Sequence, residues 1–197
     1  MRDLIRASLR MRPNRIIVGE VRGGEALEML QAMNTGHDGS LSTGHSNSSK
    51  DMLSRLETMV LMGAALPVQV IRSQIASALD LLVHLSRMRD GTRRVVEISE
   101  VMGMKDGNIE IAPLFQFAEA PATSAGSRRV QGTLSPTGTL ANRQKLRDAG
   151  LEVLPDWRNE ASSCPLPNAE TDKLSSPPGR RGAALRKAPF IPPTTFR

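Results

Sequence analysis

The stretch Gly36-His37-Asp38-Gly39-Ser40-Leu41-Ser42-Thr43-Gly44-His45 holds two of the chain's three histidines, each preceded by glycine, with small hydroxyl residues between them. An imidazole held in this way can donate to a phosphate oxygen or exchange a proton with water near neutral pH. Upstream, Arg15-Ile16-Ile17-Val18-Gly19-Glu20 is a short apolar run that ends in an acid and continues as Val21-Arg22-Gly23-Gly24. An acid at the end of a buried strand lies where open α/β sheets bind ligands. In nucleotide hydrolases such an acid holds Mg²⁺ through water or orients the attacking water. Glu20 is therefore a candidate catalytic acid, with Arg22 beside it and a histidine loop on the neighbouring strand able to sense a γ-phosphate.

Other chemistries compete for the same residues. His37 and His45 stand eight apart in a glycine loop without the cysteine or carboxylate spacing of a zinc site. Ser40-Leu41-Ser42-Thr43-Gly44 departs from G-x-S-x-G at its first position, which argues against a serine nucleophile. Structural roles are the plainer alternative: His37 capping the helix before it, His45 bonding backbone, and His84 sitting inside an apolar strand pattern.

These residues need elements to place them. Residues 3–10 predict a short helix ended by Pro13, and 15–20 predict a buried parallel strand. Gly24–Asn34 predicts a helix with Leu27, Leu30 and Met33 on one side and Gly36 beyond its end. Leu41–Thr43 predicts a second short strand leading into His45. Ser48 or Ser49 caps a helix whose face is Met52, Leu53, Leu56, Met59 and Val60, with Gly63 as its stop. Pro67 opens another helix bearing Val68, Ile71, Ile75 and Ala78. Strands then follow near 81–87, 93–101 and 108–117, separated by the turn dipeptides Asp90-Gly91 and Asp106-Gly107.

Composition sets the limits. The chain has 197 residues, 39% hydrophobic, with 10 Met, one Trp and no Tyr, so its core is aliphatic and thioether. One cysteine, Cys164, excludes an internal disulfide. No apolar run approaches a membrane span and the N-terminus does not lead into a signal-peptide core, so a cytoplasmic setting is expected. The net charge of +6 sits mostly in the C-terminal part: residues 1–117 carry a net +1 and residues 118–197 a net +5. Seven of the 13 prolines lie after Trp157, which reads as a disordered, solvated basic tail over 158–197. No aromatic platform or motif supports specific nucleic-acid recognition.

Leu9 to Gly63, with IIVGEVR and TGHDGSLSTGH at its centre, closely resembles the ATPases of type II/type IV secretion systems, in particular the CpaF-type ATPase of Flp (tight-adherence) pilus assembly. The likeness extends to about residue 155. It implies an α/β fold, the C-terminal half of a RecA-like P-loop NTPase core, with a C-terminal β-hairpin and helical appendage. The corresponding divisions are a partial ATPase domain over 1–117, the appendage over 118–157 and the tail over 158–197. By this resemblance Glu20 takes the Walker B role toward Mg²⁺ and the attacking water. His45 takes the histidine-box role near the γ-phosphate of ATP, in a loop that includes Gly36, His37 and Thr43. Arg10, Arg12 and Arg22 match arginines that approach phosphates, across a subunit boundary in some cases.

Two departures stand out. The family usually reads T-I-H-A-N where this chain has Thr43-Gly44-His45-Ser46-Asn47, and Gly44 is expected to loosen the backbone. Nothing reads G-x-x-x-x-G-K-[ST], and none of the five lysines follows a glycine. The expectation is a truncated motor lacking the phosphate-binding loop and the central strand of its sheet, inactive alone. In the family the function is ATP hydrolysis by a homo-hexamer that drives pilin export at the inner membrane, in contact with a platform protein. The competing class is a non-catalytic fragment, a docking subunit or a decayed gene product.

Overall fold

The computed structural model describes residues 1–120 and 129–151. The expected tail, with Trp157 and Cys164, lies outside them. Helix α1 (Arg2–Arg10) leads to strand β1 (Ile17–Val18), then α2 (Ala26–Met33), β2 (Leu41–Ser42), α3 (Ser49–Gly63) and α4 (Val68–Ala78). Strands β3 (Leu81–Arg87), β4 (Arg93–Lys105), β5 (Asn108–Glu119) and β6 (Gly132–Pro136) follow, and α5 (Gln144–Asp148) closes the described chain. The fold is mixed α/β.

Two separate sheets result. β1 pairs in parallel with β2, Ile17 opposite Leu41 and Val18 opposite Ser42. β3 to β6 form an antiparallel meander in sequence order. The apolar run 15–20 yields only two strand residues, shorter than the sequence predicts. A parallel strand is normally covered on both faces and bonded on both edges, whereas among the described residues β1 is paired with β2 alone.

The helices follow the apolar spacing. Ser48, not Ser49, is the N-cap of α3: its hydroxyl accepts from the Asp51 amide at 3.0 Å. Leu53, Leu56, Met59 and Val60 are buried, as expected, and α4 buries Ile71, Ile75 and Ala78 while Val68 stays exposed. α2 is buried more widely than one stripe, and includes the carboxylate of Glu28. Arg2 Nε and Arg6 Nη2 of α1 each donate to Glu28 Oε1 at 2.8 Å, which ties the two helices together. α2 and α3 touch at glycine: a Cβ on Gly63 would lie 2.7 Å from the Gly24 carbonyl oxygen.

The antiparallel sheet owes its register to local turns. Asp106 and Gly107 both adopt positive φ (49° and 76°), the conformation a two-residue hairpin requires. Asp90 organises the other hairpin: its Oδ1 accepts from Thr92 N and Oγ1, and its Oδ2 accepts from Val130 N at 2.9 Å. β4 and β5 run past the predicted ends at 101 and 117, and β6 pairs with residues 115–119. The division expected at 117 therefore falls within a continuous sheet. Glu100, buried on β4, accepts from the backbone amides of Ala141 and Asn142 at 2.8 and 2.7 Å, fastening the segment before α5.

Candidate functional site

The site forms where β1 and β2 end side by side. Val21 N donates to Thr43 O at 3.0 Å, and Thr43 Oγ1 donates to Gly19 O at 2.5 Å. These two bonds lock the strand-end loops together just beyond the ladder. Glu20 on one loop and His45 on the other are thereby brought into contact, with His45 Nε2 3.1 Å from Glu20 Oε1. The second carboxylate oxygen accepts a hydrogen bond from Arg22 Nη2. The Glu20 side chain is 22% exposed, while those of His45 and Arg22 are 83% and 76% exposed. Water reaches the carboxylate, and the two basic groups reach outward.

The charge state follows from those contacts. The Arg22 hydrogen bond holds the Glu20 carboxyl below its ordinary range; partial desolvation opposes this, and the charges of Arg22, His45 and Arg55 add to the lowering. Glu20 is thus an ionised carboxylate, able to orient water or accept its proton. Glu25 shapes the same loop. Its Oε1 accepts from the amides of Arg22 at 2.9 Å and Gly23 at 3.2 Å, and the Arg22 amide is the main reason its own carboxyl is lowered. The sequence reading passed over Glu25. The acid three residues after Arg22, at a helix start, was a usable capping signal.

The other expected residues divide. Thr43 is structural glue between the strand ends. Gly36 takes φ +86° just past α2, where only glycine is at ease. His37 Nδ1 lies 3.1 Å from Ala32 O, so this imidazole caps α2, and it also lines the larger cleft described below. Arg10 ends α1, and Arg12 sits next to it with φ 51°. Neither lines the cavities at the Glu20 end of the structure. His84 faces Glu97 across the β3–β4 ladder.

Two cavities flank the strand ends. A cleft of about 710 Å³ runs between the outer edge of β2 and that of β3, lined by His45, Met52, Leu82, His84 and Lys145 among others. Lys145 of α5 spans its two walls, at 3.2 Å from Asp38 and 2.9 Å from Asp80. A shallower cavity of about 440 Å³ lies between Arg22 and α3.

No group of three or more His, Cys, Asp or Glu side chains gathers to hold a metal among the described residues. That excludes neither Mg²⁺ nor the role expected of Glu20. Mg²⁺ keeps several waters and is bound through one or two carboxylates together with substrate phosphates. One solvent-reached carboxylate at a strand end fits such an ion.

Residues 1–143 match the family described as type II/IV secretion system protein, and the chain belongs to that family. It is 42% identical over 110 residues to a Mycobacterium tuberculosis protein named for conjugal transfer, covering 56% of this chain and 31% of that one. It is 40% identical over 119 residues to the conjugal transfer protein TrbB of Rhizobium radiobacter, covering 60% and 36%. It is 40% identical over 120 residues to the type IV secretion system protein VirB11 of Brucella suis, covering 59% and 32%. The chain spans about a third of the length of these relatives. A crystal structure of the Brucella suis VirB11 ATPase in complex with sulphate aligns with 50% of this chain and 31% of its own, at 37% identity and a TM-score of 0.47. No helix among the described residues is long and apolar enough to cross a membrane.

Proposed function

We propose that this chain carries the water-activating side of an NTPase site in a type II/IV secretion ATPase of the pilus-assembly, CpaF-like kind. One observation supports this reading above the rest: Glu20, Arg22 and His45 converge at the joined ends of two parallel strands. The chemistry needs an ionised carboxylate that water can reach, and Arg22 keeps Glu20 in that form. It needs a donor aimed at developing negative charge, and the exposed imidazole of His45 and guanidinium of Arg22 supply two. Mg²⁺, when bound with ATP, would neutralise phosphate charge, and Glu20 is the carboxylate placed to meet its water shell. Thr43 and Glu25 act through position, holding the His45 and Arg22 loops.

The phosphate cradle must come from outside these residues, since no lysine here follows a glycine-rich turn. Among the described residues, the edges of β2 and β3 that face the 710 Å³ cleft have no strand partner. We assign this cleft to the remainder of the sheet, in the N-terminal half of a RecA-like core. The assembled motor would be a homo-hexamer hydrolysing ATP for pilin export at the inner membrane, beside a platform protein. Arg10 and Arg12, exposed at the end of α1, are the arginines offered to a neighbouring subunit.

The test uses the 197-residue chain and the same chain joined to the phosphate-binding segment of a close relative. The chain alone should show no stoichiometric MgATP binding by calorimetry and no phosphate release. The joined protein should do both. Tight ATP binding with turnover by the chain alone would overturn the reading.

A further inference from the structure

The shallow cavity beside Glu20 contains chemistry that the proposed hydrolytic role does not use. One wall is α3, whose residues Asp51, Ser54, Arg55 and Thr58 follow the i, i+3, i+4, i+7 spacing of a single face. This face is distinct from the buried one formed by Leu53, Leu56 and Val60. The opposite wall is Arg22 with Asn47. We propose that this cavity binds a phosphate that still carries a proton, with Arg55 as its main cationic contact and Asp51 as the acceptor of that proton.

The donors set the sign of the ligand. Arg22 has one guanidinium nitrogen committed to Glu20 and its remaining N–H groups exposed. Arg55 has no carboxylate within ion-pair distance among the described residues, although Asp51 stands one turn before it on α3. Asn47 and Ser54 add neutral donors. Thr58 already gives its hydroxyl proton to Ser54 O at 3.2 Å, so it offers the ligand an acceptor only. A planar, permanently charged fork facing further donors is the usual recognition chemistry of an oxyanion.

The acid in the same wall decides which oxyanion. A carboxylate repels sulfate, which at neutral pH has no proton to give. It can instead accept a hydrogen bond from the P–OH of monohydrogen or dihydrogen phosphate. Two arginines against Asp51, with Glu20 partly cancelling Arg22, also suit a monoanion or dianion better than a polyphosphate. Arg55 lies close enough to Glu20 to contribute to the lowering of its carboxyl, behind Arg22 and His45. A phosphate seated here would therefore draw on the same cations that hold Glu20. The cavity is placed to receive inorganic phosphate as it leaves the reacting centre, and this last assignment rests on the proposed hydrolytic reading.

Calorimetric titration of the 197-residue chain with inorganic phosphate and with sulfate, at fixed ionic strength and pH about 7, tests the binding itself without any turnover. Phosphate should saturate at one per chain and bind more tightly than sulfate. Arg55→Gln should weaken phosphate about tenfold or more, the loss of one hydrogen bond between charged groups. Arg55→Lys should retain part of the affinity, which a merely structural arginine would not predict. Asp51→Asn should erase the preference, so that sulfate binds as well as phosphate. Arg87→Gln, in the other cleft, should change nothing. Should Arg55→Gln fail to fold, Ser54→Asp places a second carboxylate in the cavity and should abolish binding. Absence of saturable binding, equal affinity for sulfate in the unaltered chain, or undiminished binding by Arg55→Gln or Ser54→Asp would each overturn the proposal. These outcomes are read from phosphate binding without turnover, whereas the catalytic role of Glu20 is tested separately by turnover of the joined protein.

Discussion

The two sheets of this molecule are built on opposite terms. β3 to β6 make an antiparallel meander in which each inner strand has neighbours on both sides and a turn of its own. β1 and β2 make a parallel pair of two residues each, with Ile17 75% and Leu41 63% exposed. Yet the buried hydrophobic cluster gathers around the smaller sheet, from Ile5 and Val18 through Leu30, Val60 and Ile75. The meander combines its own ladders with packing of Leu82, Ile109 and Ile111 against that cluster, while the parallel pair relies on helix packing. The candidate chemistry sits on the weaker sheet. A site there inherits its geometry from α2, α3 and the two loop-locking bonds of Thr43, and it remains open toward whatever completes the sheet.

Four changes would break or sharpen this contrast. Leu30→Ala, at a fully buried position of α2, should cost about 2–5 kcal/mol in chemical denaturation. The same truncation on the meander, Leu134→Ala on edge strand β6, where the side chain is 37% exposed, should cost less than Leu30→Ala. Gly63→Ala should cost about 1–3 kcal/mol, because the new methyl meets the Gly24 backbone and neither helix can turn away. Its effect should appear as faster amide exchange in α2 and α3 before β4 and β5. Gly44→Ala should cost less than Gly63→Ala, because the nearest atom is the flexible end of Met52.

In the meander the pH response centres on Asp90. The hydrogen bond from Thr92, with the backbone donors of Val130 and Thr92, lowers the Asp90 carboxyl from 3.8 to about 2. A lowered folded-state pKa contributes stability above the unfolded value and loses it as pH falls through the folded one. The contribution of Asp90 is therefore intact above about 4 and disappears toward about 2. Asp90→Asn should lower the melting temperature at neutral pH and make much less difference near pH 2. Equal destabilisation at both pH values would show that the carboxylate charge is not what the turn uses.

The contrast also explains what could be read in advance. The helices were legible because apolar spacing and the Ser48 and Pro67 starts are local signals. The Asp-Gly hairpins were legible for the same reason. β6 was missed: Gly-Thr-Leu-Ser-Pro is short and polar, and its only cue is pairing with residues 115–119. It ends at Pro136, which an edge strand tolerates. β1 was drawn too long because its apolar run promised a partner on each side. Glu20, Arg22 and His45 were legible by type and resemblance, and their contact follows from loop bonds that sequence does not display. Gly44 was read as loosened backbone. It also makes room, since a Cβ there would lie 2.4 Å from the Met52 terminal methyl.

We propose that Glu20 is the water-activating carboxylate of a phosphoryl-transfer site completed from elsewhere. The most direct measurement is single-turnover phosphate release by the joined protein, compared with its Glu20→Gln variant at saturating MgATP. The amide keeps the shape but can neither accept a proton nor carry the charge, so release should fall by about 10²–10⁴-fold with ATP affinity little changed. His45→Ala should slow release by a smaller factor. Release by Glu20→Gln at a near-normal rate, with ATP bound, would contradict the account.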